Sequence, residues 1–436
     1  MMKKTILILL AFSFCYTLSA TDPKDGETRT ASATYEVSPG DLINLQAKYT
    51  DVVVEAWDKN EVFVEATLRF DGKINDRVQR FLDSFEEEVF SNITEGPGEL
   101  LIKTNLDEPN KFQLGTKFIG IQIDFNEDEL KLEYKLKVPA SNELRIKNSY
   151  RDLKLIGTFN EVEIDQYSGD LEAESIGGAE LKLKYGTARF KSIQIANMEL
   201  YEQELTANTI GELIIDTKYS ELTIEELGDT EIVSYETDFE IGTLSLLEGN
   251  LKYGKLEITE SLDESKLTTY EFDIEARSIG RLVLEESKYG KFEASSIESL
   301  RLIKSYEDDF DLEILGALRA EESKYVNYKI GVVNKSFSVT EGYEGSVDID
   351  AIGAEVSSIE ITGKYIDTAI ETSGRPYKLV SNTKYGSVNI DKADMNVTRY
   401  IQDGDQLEIE ASSNSGNASN PVLISISGYE IELRLD

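Results

Sequence analysis

Glu286-Ser-Lys-Tyr-Gly-Lys-Phe-Glu293 decides the reading of this chain, because the chain keeps rewriting it. Close variants are Leu183-Lys-Tyr-Gly186, Thr217-Lys-Tyr-Ser220, Leu251-Lys-Tyr-Gly254, Ser323-Lys-Tyr-Val326, Gly363-Lys-Tyr-Ile366 and Thr383-Lys-Tyr-Gly386. A second version lacks the lysine: Ser149-Tyr-Arg-Asp152, Ser234-Tyr-Glu-Thr237, Thr269-Tyr-Glu-Phe272, Ser305-Tyr-Glu-Asp308 and Gly342-Tyr-Glu-Gly345. With Tyr167 and Tyr201, tyrosines recur from Tyr150 to Tyr385 in steps of 16 to 19 residues, until the last two steps of 22 and 20. A fixed period of this size marks a repeat architecture whose units cannot bury a core alone and must stack.

One unit, from Tyr270 to Tyr289, shows the pattern. Phe272, Ile274 and Ala276 alternate with acids and Arg277, Ile279-Gly280 makes a turn, and Leu282 and Leu284 alternate back to the next tyrosine. Alternation at period two is the mark of a strand with one buried face. Glycines stand at the matching turns (Gly157, Gly177, Gly211, Gly228, Gly242, Gly316, Gly331 and Gly353), where freedom to take positive φ is the expected reason for them. Each unit therefore reads as strand, glycine corner, strand, tyrosine corner, and the chain as an all-β solenoid, a parallel β-helix built from one strand-like path.

The coil length follows from charge. Equivalent residues of successive coils lie over one another, and like charges so placed destabilise the pair. A coil of 34 to 36 residues would stack every lysine of the motif on another lysine, whereas a coil of 17 to 18 residues sets them two coils apart. The shorter coil is expected, with Lys184 over Leu200, Lys218 over Ser234, Lys252 over Thr269, and Glu202, Glu236 and Glu271 diagonal to them.

Outside the repeats, residues 1–20 read as a secretory signal peptide: Lys3 and Lys4, an apolar run from Ile6 to Phe14 too short to span a bilayer, and a small-residue exit at Leu18-Ser-Ala20. Cys15, the single cysteine, has bulky Phe14 before it, which disfavours lipid attachment. Its removal leaves no disulfide, so stability rests on packing and backbone pairing. Residues 21–143 form a strand-rich N-terminal region with one amphipathic helix over about 75–91. There Val78, Phe81, Leu82, Phe85, Val89 and Phe90 make one apolar stripe, and Asn75 or Asp76 stands at the cap. That helix is expected to cover the open end of the stack, where unpaired strand edges invite aggregation. Residues 105–120 read as an irregular loop, residues 144–395 as regular repeats and residues 396–436 as C-terminal capping strands. No later segment is apolar for long enough to cross a membrane as a helix.

Composition excludes much chemistry. There is no histidine, which removes Ser-His-Asp and Cys-His catalysis and His-ligated zinc. The formal charge of −38 repels nucleic acid and anionic lipid. Glu307-Asp-Asp-Phe-Asp311 has the oxygen ligands that Ca²⁺ wants, yet reads more simply as a charged stripe on one strand face, with weak Ca²⁺ binding the alternative. Asp124-Phe-Asn-Glu-Asp128 starts like a calcium-binding loop, but Glu129 and Lys135 stand where that loop needs glycine and a bidentate glutamate. Paired carboxylates could hydrolyse a glycosidic bond without histidine. The near-constant coil length from Tyr150 to Tyr343, however, leaves no long loops to wall a cleft. No catalytic, cofactor-binding or metal-binding residue is therefore assigned, and no cofactor is expected. The tyrosine column reads first as a stabilising corner ladder and second as a surface for sugar rings or proteins.

Two segments carry a family resemblance. The stretch from Lys48-Tyr-Thr-Asp-Val-Val-Val to Phe63-Val-Glu-Ala66 resembles the opening of bacterial "putative adhesin" domains. The stretch from Leu136-Lys-Val-Pro-Ala to Arg151-Asp-Leu-Lys-Leu155 is similar to that family's passage from a Val-Pro turn into its repeats. The resemblance extends to adhesin-head domains of Bacteroidetes-like bacteria. It implies a right-handed, single-stranded β-helix exported to the cell envelope, and it brings no functional residues with it. Only Tyr167-Ser-Gly-Asp170 keeps the Ser-Gly-Asp form common in those relatives. The expected function is a non-enzymatic adhesin-like binding or scaffolding protein in the periplasm, on the outer-membrane surface or outside the cell, with an unknown protein or glycan ligand. The alternative is a carbohydrate-active β-helix enzyme using carboxylates.

Overall fold

The computed structural model describes residues 26–104, 106–108, 111–112, 123–124, 129–390, 395–413 and 420–436. The signal segment, most of the 105–120 loop and all but the start of Asp124–Asp128 lie outside those residues. Within that loop, the short strand Lys111–Phe112 pairs antiparallel with Leu106–Glu108 on one side and with Ile123–Asp124 on the other. The chain divides into two compact units, Met1–Thr209 and Ile210–Asp436.

The fold is a β-solenoid, and its coil is the short one. In the first unit Leu144 pairs with Val162 and Leu153 with Leu171; in the second Glu221 pairs with Asp238, Phe292 with Phe310 and Asp309 with Asn327. All these pairings are parallel, so every strand finds its backbone partners in the coils on either side. Inward positions bury Leu, Ile, Val and Phe, which stack on their own kind: Phe292 on Phe310 at 4.7 Å between ring centres, and Phe310 on Tyr328 at 5.4 Å.

Each unit has one coil placed out of sequence order. In the first unit, Leu42–Lys48 lies parallel between Glu99–Lys103 and Leu144–Ser149. Its continuation, Asp51–Trp57, lies between Leu130–Pro139 and Leu153–Tyr167. In the second unit, Val422–Leu435 lies parallel between Ser358–Ile370 and Tyr377–Lys384. The coils carrying Tyr365 and Tyr385 are therefore not neighbours, contrary to the simple repeat count. The C-terminal strand separates them because its buried Ile424, Ile426, Ile431 and Leu433 complete the core at that level.

Antiparallel strands finish the ends. Glu61–Phe70 runs antiparallel to both Leu130–Pro139 and Glu27–Glu36, and the helix Asp76–Ser91 packs on Glu27–Glu36 and Ile93–Gly96. Its stripe of Val78, Phe81, Leu82, Phe85 and Val89 is buried, and Asn75 Oδ1 accepts the Val78 amide at 3.0 Å as the helix cap. This is the covering role that the amphipathic pattern implies. In the second unit, Gln406–Ser413 runs antiparallel to Tyr377–Lys384, and Met395–Asp403 runs antiparallel to Gln406–Ser413.

The glycine corners correct the sequence reading. Of the eight glycines expected to supply positive φ, only Gly157 does so, at +94°. Gly177, Gly228, Gly242, Gly316, Gly331 and Gly353 serve close approach between coils: a Cβ on Gly228 would stand 1.9 Å from the Gly211 carbonyl oxygen of the preceding coil. The left-handed turns of the solenoid are made at the tyrosine corners instead, and by residues with side chains.

Candidate functional site

The repeated Lys-Tyr and Tyr-Glu motifs are two solutions to one corner. In the Lys-Tyr form the tyrosine itself takes the left-handed conformation: Tyr185, Tyr219, Tyr253, Tyr289, Tyr325, Tyr365 and Tyr385 have φ between 55° and 60°. In the Tyr-Glu form the residue after the tyrosine takes it: Glu202, Glu236, Glu271, Glu307 and Glu344 have φ between 46° and 52°. Tyr150, which lacks the lysine, nevertheless belongs to the first form with φ 67°, and Ser168 completes the second form after Tyr167 with φ 58°. A bulky residue at positive φ costs backbone energy, and the corner recovers a backbone hydrogen bond in return. The left-handed residue's amide donates to the neighbouring coil, as in Tyr289 N to Tyr306 O at 3.0 Å and Glu307 N to Lys324 O at 2.9 Å.

This register places each motif lysine one residue from its expected position. Lys252 pairs with Tyr235, Lys288 with Tyr306, and Lys324 with both Tyr306 and Tyr343. The lysines do stand two coils apart, with a tyrosine of the other form between them. Matching the left-handed residues of the two forms, rather than their tyrosines, sets this register.

The alternation also fixes the rings. Where neighbouring corners differ in form, the rings meet edge to face: Tyr270–Tyr289 and Tyr289–Tyr306 both lie at 5.6 Å and 81°. Where two neighbouring corners share the left-handed tyrosine, as at Tyr49 and Tyr150, the rings stack in parallel at 4.7 Å and 8°. Backbone form thus dictates ring orientation, and rings two coils apart share it. In the second unit the ladder runs unbroken from Tyr219 through Tyr365 to Tyr429 and ends on Tyr385. Tyr49 and Tyr429 escaped the repeat count, although Lys48-Tyr49 and Gly428-Tyr-Glu430 carry the same two motifs.

Exposure follows the same alternation. Tyr219, Tyr289, Tyr325, Tyr365 and Tyr385 are exposed, whereas Tyr235, Tyr270, Tyr306 and Tyr429 are half-buried; Tyr253 and Tyr343 depart from it. The hydroxyls of Tyr235, Tyr270 and Tyr306 are tied to the glutamates that follow them. Tyr306 donates to Glu307, which together with burial holds its phenol above the ordinary range, and burial with the Glu236 charge does the same to Tyr235. On the lysine side, Lys288 pairs with Glu286 at 2.6 Å, and Lys384 lies 5.1 Å over the Tyr385 ring. The edge is thus a rigid aromatic row with a charged group at every coil.

A second surface of the same unit is a carboxylate trough of about 540 Å³ lined by Glu257, Glu275, Arg277, Glu293, Asp311 and Glu313. Glu275, Glu293 and Asp311 are direct register partners, the like-charge stacking that the coil-length argument counted as unfavourable. Lys255 and Lys291, two residues before Glu257 and Glu293, and Lys329, the next register partner after Asp311 in the same column, offset it. Lys255 reaches Glu257 at 3.2 Å and Glu275 at 2.7 Å, Lys291 pairs with Glu293, and Lys329 reaches Asp311 at 2.8 Å. The hydrogen bond from Lys255 holds the Glu275 carboxyl below the ordinary range, which favours a charged acceptor and not a general acid.

The sequence cluster Glu307–Asp311 is dispersed by the corner. Glu307 takes the left-handed turn, Asp309 accepts from Asn327 at 2.8 Å, and Asp311 faces the trough. Asp308 turns inward, fully buried, and accepts from the Gly290 amide at 2.9 Å and the Ser305 hydroxyl at 2.5 Å. Burial lifts its carboxyl above the ordinary range against those hydrogen bonds. Among the described residues no group of His, Cys, Asp and Glu is gathered to hold a metal ion, and no helix is long and apolar enough to cross a membrane.

No family model matches the chain, and no curated protein matches it. Six solved chains are similar at low levels, among them the following two. One, described as a putative cell adhesion protein from Clostridium sporogenes, is 10% identical with a TM-score of 0.18, covering 94% of this chain and 100% of that one. The other, described as a putative lipid binding protein from Parabacteroides distasonis, is 14% identical with a TM-score of 0.17, covering 76% of this chain and 96% of that one. Likeness at these values carries no argument about function.

Proposed function

We propose that this chain is a non-enzymatic, exported surface protein that binds a partner along its tyrosine edge. The observation that carries the reading is the alternation of the two corner forms, which holds exposed aromatic rings in a fixed row between Tyr219 and Tyr385. Rigid aromatic side chains give contact area at little entropic cost, which is what a binding surface needs. Export rests on residues 1–20, and the charge of −38 suits a component that must stay dispersed in a crowded envelope. The carboxylate trough gives less support to a glycan hydrolase, which needs one carboxyl kept protonated as the acid, since Glu257, Glu275, Glu293 and Asp311 are each paired with a lysine that favours the charged form.

The test uses the chain from Thr21 onward, immobilised and exposed to isolated envelope fractions, purified glycans and lipid vesicles, with released reducing ends assayed in parallel. Retention of at least one surface component, weakened when ladder tyrosines are replaced, is the expected result. Release of reducing ends, or retention that ignores the tyrosines, overturns the reading.

A further inference from the structure

The two units finish their outermost strands differently. In the first, Glu27–Glu36 is packed by the helix Asp76–Ser91. In the second, Met395–Asp403 pairs with Gln406–Ser413 and, among the described residues, with no other strand. Eight of its nine residues are exposed. Its inner row continues a buried core: Val397 stands opposite Ala411 and Tyr400 opposite Ile409, yet Ala411 and Ile409 are 2% exposed while Val397 and Tyr400 are 37% and 49% exposed. Native edge strands are commonly protected by lysine, proline, a covering element or a bulge. This strand has neither lysine nor proline, and its bulge, between Val397 and Arg399, leaves residues 399–403 regular.

The occupant of this edge follows from the strand's own symmetry. The turn Gly404-Asp405, with Gly404 at φ 56°, closes on Asp403 and Gln406 as the first hydrogen-bonded pair of a two-residue hairpin. Alternation then turns the amide and carbonyl of Gln402 to the open side. Residues that face each other across an antiparallel pair must turn their backbones alike, so a strand pairs with its own copy about a residue, never between two. Centred on Arg399, the pairing sets arginine against arginine; on Tyr400 it sets Asp403 against Val397; on Gln402 it sets Asp403 against Ile401. Centred on Ile401, it sets Arg399 against Asp403 twice, Tyr400 against Gln402 twice, and Ile401 against itself. A second copy uses that match, and an arbitrary extended partner does not. Arg399 holds Glu408 at 2.6 Å, and its guanidinium has donors left for a second carboxylate. The two-fold axis stands perpendicular to the sheet, so the inner rows of the two copies adjoin and the exposed Val397 and Tyr400 gain cover. The charge of −38 opposes self-association, but salt screens it beyond about 8 Å, and the two charges of this strand cancel. We infer that Met395–Asp403 pairs antiparallel with the same strand of a second copy, about a two-fold axis at Ile401, to make a symmetric dimer. This goes beyond the tyrosine edge as a binding surface and does not rest on it.

The test is sedimentation velocity of the chain from Thr21 onward, across a concentration series at physiological salt. A pairing of this size is at the small end of specific interfaces, so a reversible dimer dissociating in the micromolar range is expected. Ile401→Lys puts like charges on the axis and should weaken dimerisation roughly tenfold or more. Arg399→Glu and Asp403→Lys should each weaken it alone, and mixing the two variants should restore a dimer, because each then presents the charge that the other lacks. Ile401→Cys gives a readout that leaves the charges alone, since the chain from Thr21 onward holds no other cysteine. The Cα atoms of residue 401 in the two copies would stand about 4.5 Å apart, within disulfide range. Rapid oxidation to a covalent dimer is expected there, and slow oxidation for Leu423→Cys, which is exposed on another strand. A chain that stays monomeric up to about 100 µM, a dimer indifferent to Ile401→Lys, equal oxidation of the two cysteine variants, or charge variants that stay monomeric when mixed overturns the inference. Protection of the Gln402 amide from hydrogen exchange in the monomer shows that another segment of the chain covers the edge, and overturns it as well.

Discussion

Tyr289 and Tyr343 form a matched pair in which only the backbone differs. Both rings are exposed, at 42% and 37%, and both meet two neighbours edge to face: Tyr289 at 5.6 Å on each side, Tyr343 at 5.7 and 5.6 Å. Tyr289 sits in the left-handed region at φ 60°, whereas at the other corner Glu344 takes that conformation and Tyr343 does not. Replacing either tyrosine by valine removes two ring contacts, each worth about 0.5–1.5 kcal/mol, so the two losses largely cancel on comparison. Tyrosine already bears the general cost of the left-handed region at position 289, and valine adds to it the cost of branching at Cβ, which moves the residue toward the upper end of a range of about 1–3 kcal/mol. Tyr289→Val should therefore destabilise its corner by about 1 kcal/mol more than Tyr343→Val does, a factor of roughly 5 in local opening. A long solenoid need not unfold as one unit, so hydrogen exchange is the right assay. The amides to follow are that of residue 289, which donates to Tyr306 O at 3.0 Å, and that of Tyr325, which donates to Tyr343 O at 2.8 Å. Equal loss of protection in the two variants would refute the claim that backbone form distinguishes the corners.

Three further outcomes follow from the packing and the charges. Phe310→Ala removes a ring stacked on both Phe292 and Tyr328 and should cost about 3–5 kcal/mol, read from denaturant melts of the second unit; a loss below about 1 kcal/mol would contradict the stacked core. Asp308 has its carboxyl raised by burial, so its stabilising contribution is full below the unfolded pKa and is lost as pH rises through the folded one. The stability of Asp308→Asn relative to the unaltered chain should accordingly increase with pH across that window, and a flat or falling difference between their melts would show that burial does not dominate. Lys255→Met leaves Glu257 and Glu275 facing each other and should destabilise by less than about 1 kcal/mol, with the deficit shrinking as salt is added; a deficit indifferent to salt would point to packing.

Much of this architecture was legible because a solenoid writes its geometry locally. The tyrosine period gave the coil, alternation gave the inward face, and the stripe from Val78 to Val89 gave the covering helix. What escaped was order in space. Nothing local in Ile424-Ser-Ile-Ser427 says that it pairs with Ser358–Ile370 on one side and Tyr377–Lys384 on the other, since any strand with that alternation would fit. Glycine misled for a physical reason: its lack of a Cβ serves close approach as well as positive φ, and sequence alone does not separate the two. The corner residues misled in the opposite direction, because tyrosine and glutamate are unexpected at positive φ. The two motifs were visible as text, but their meaning, a one-residue shift in which side chain occupies the left-handed turn, needed the backbone.

Chemical footprinting of tyrosines in the folded chain tests the central claim, the alternation of two corner forms, most directly. Nitration read residue by residue by mass spectrometry reports each ring separately. The alternating ladder predicts that Tyr289, Tyr325 and Tyr365, the exposed left-handed set, are nitrated faster than the half-buried Tyr270 and Tyr306 between them. Nitration at equal rates in the two sets, or faster at the half-buried rings, would contradict it.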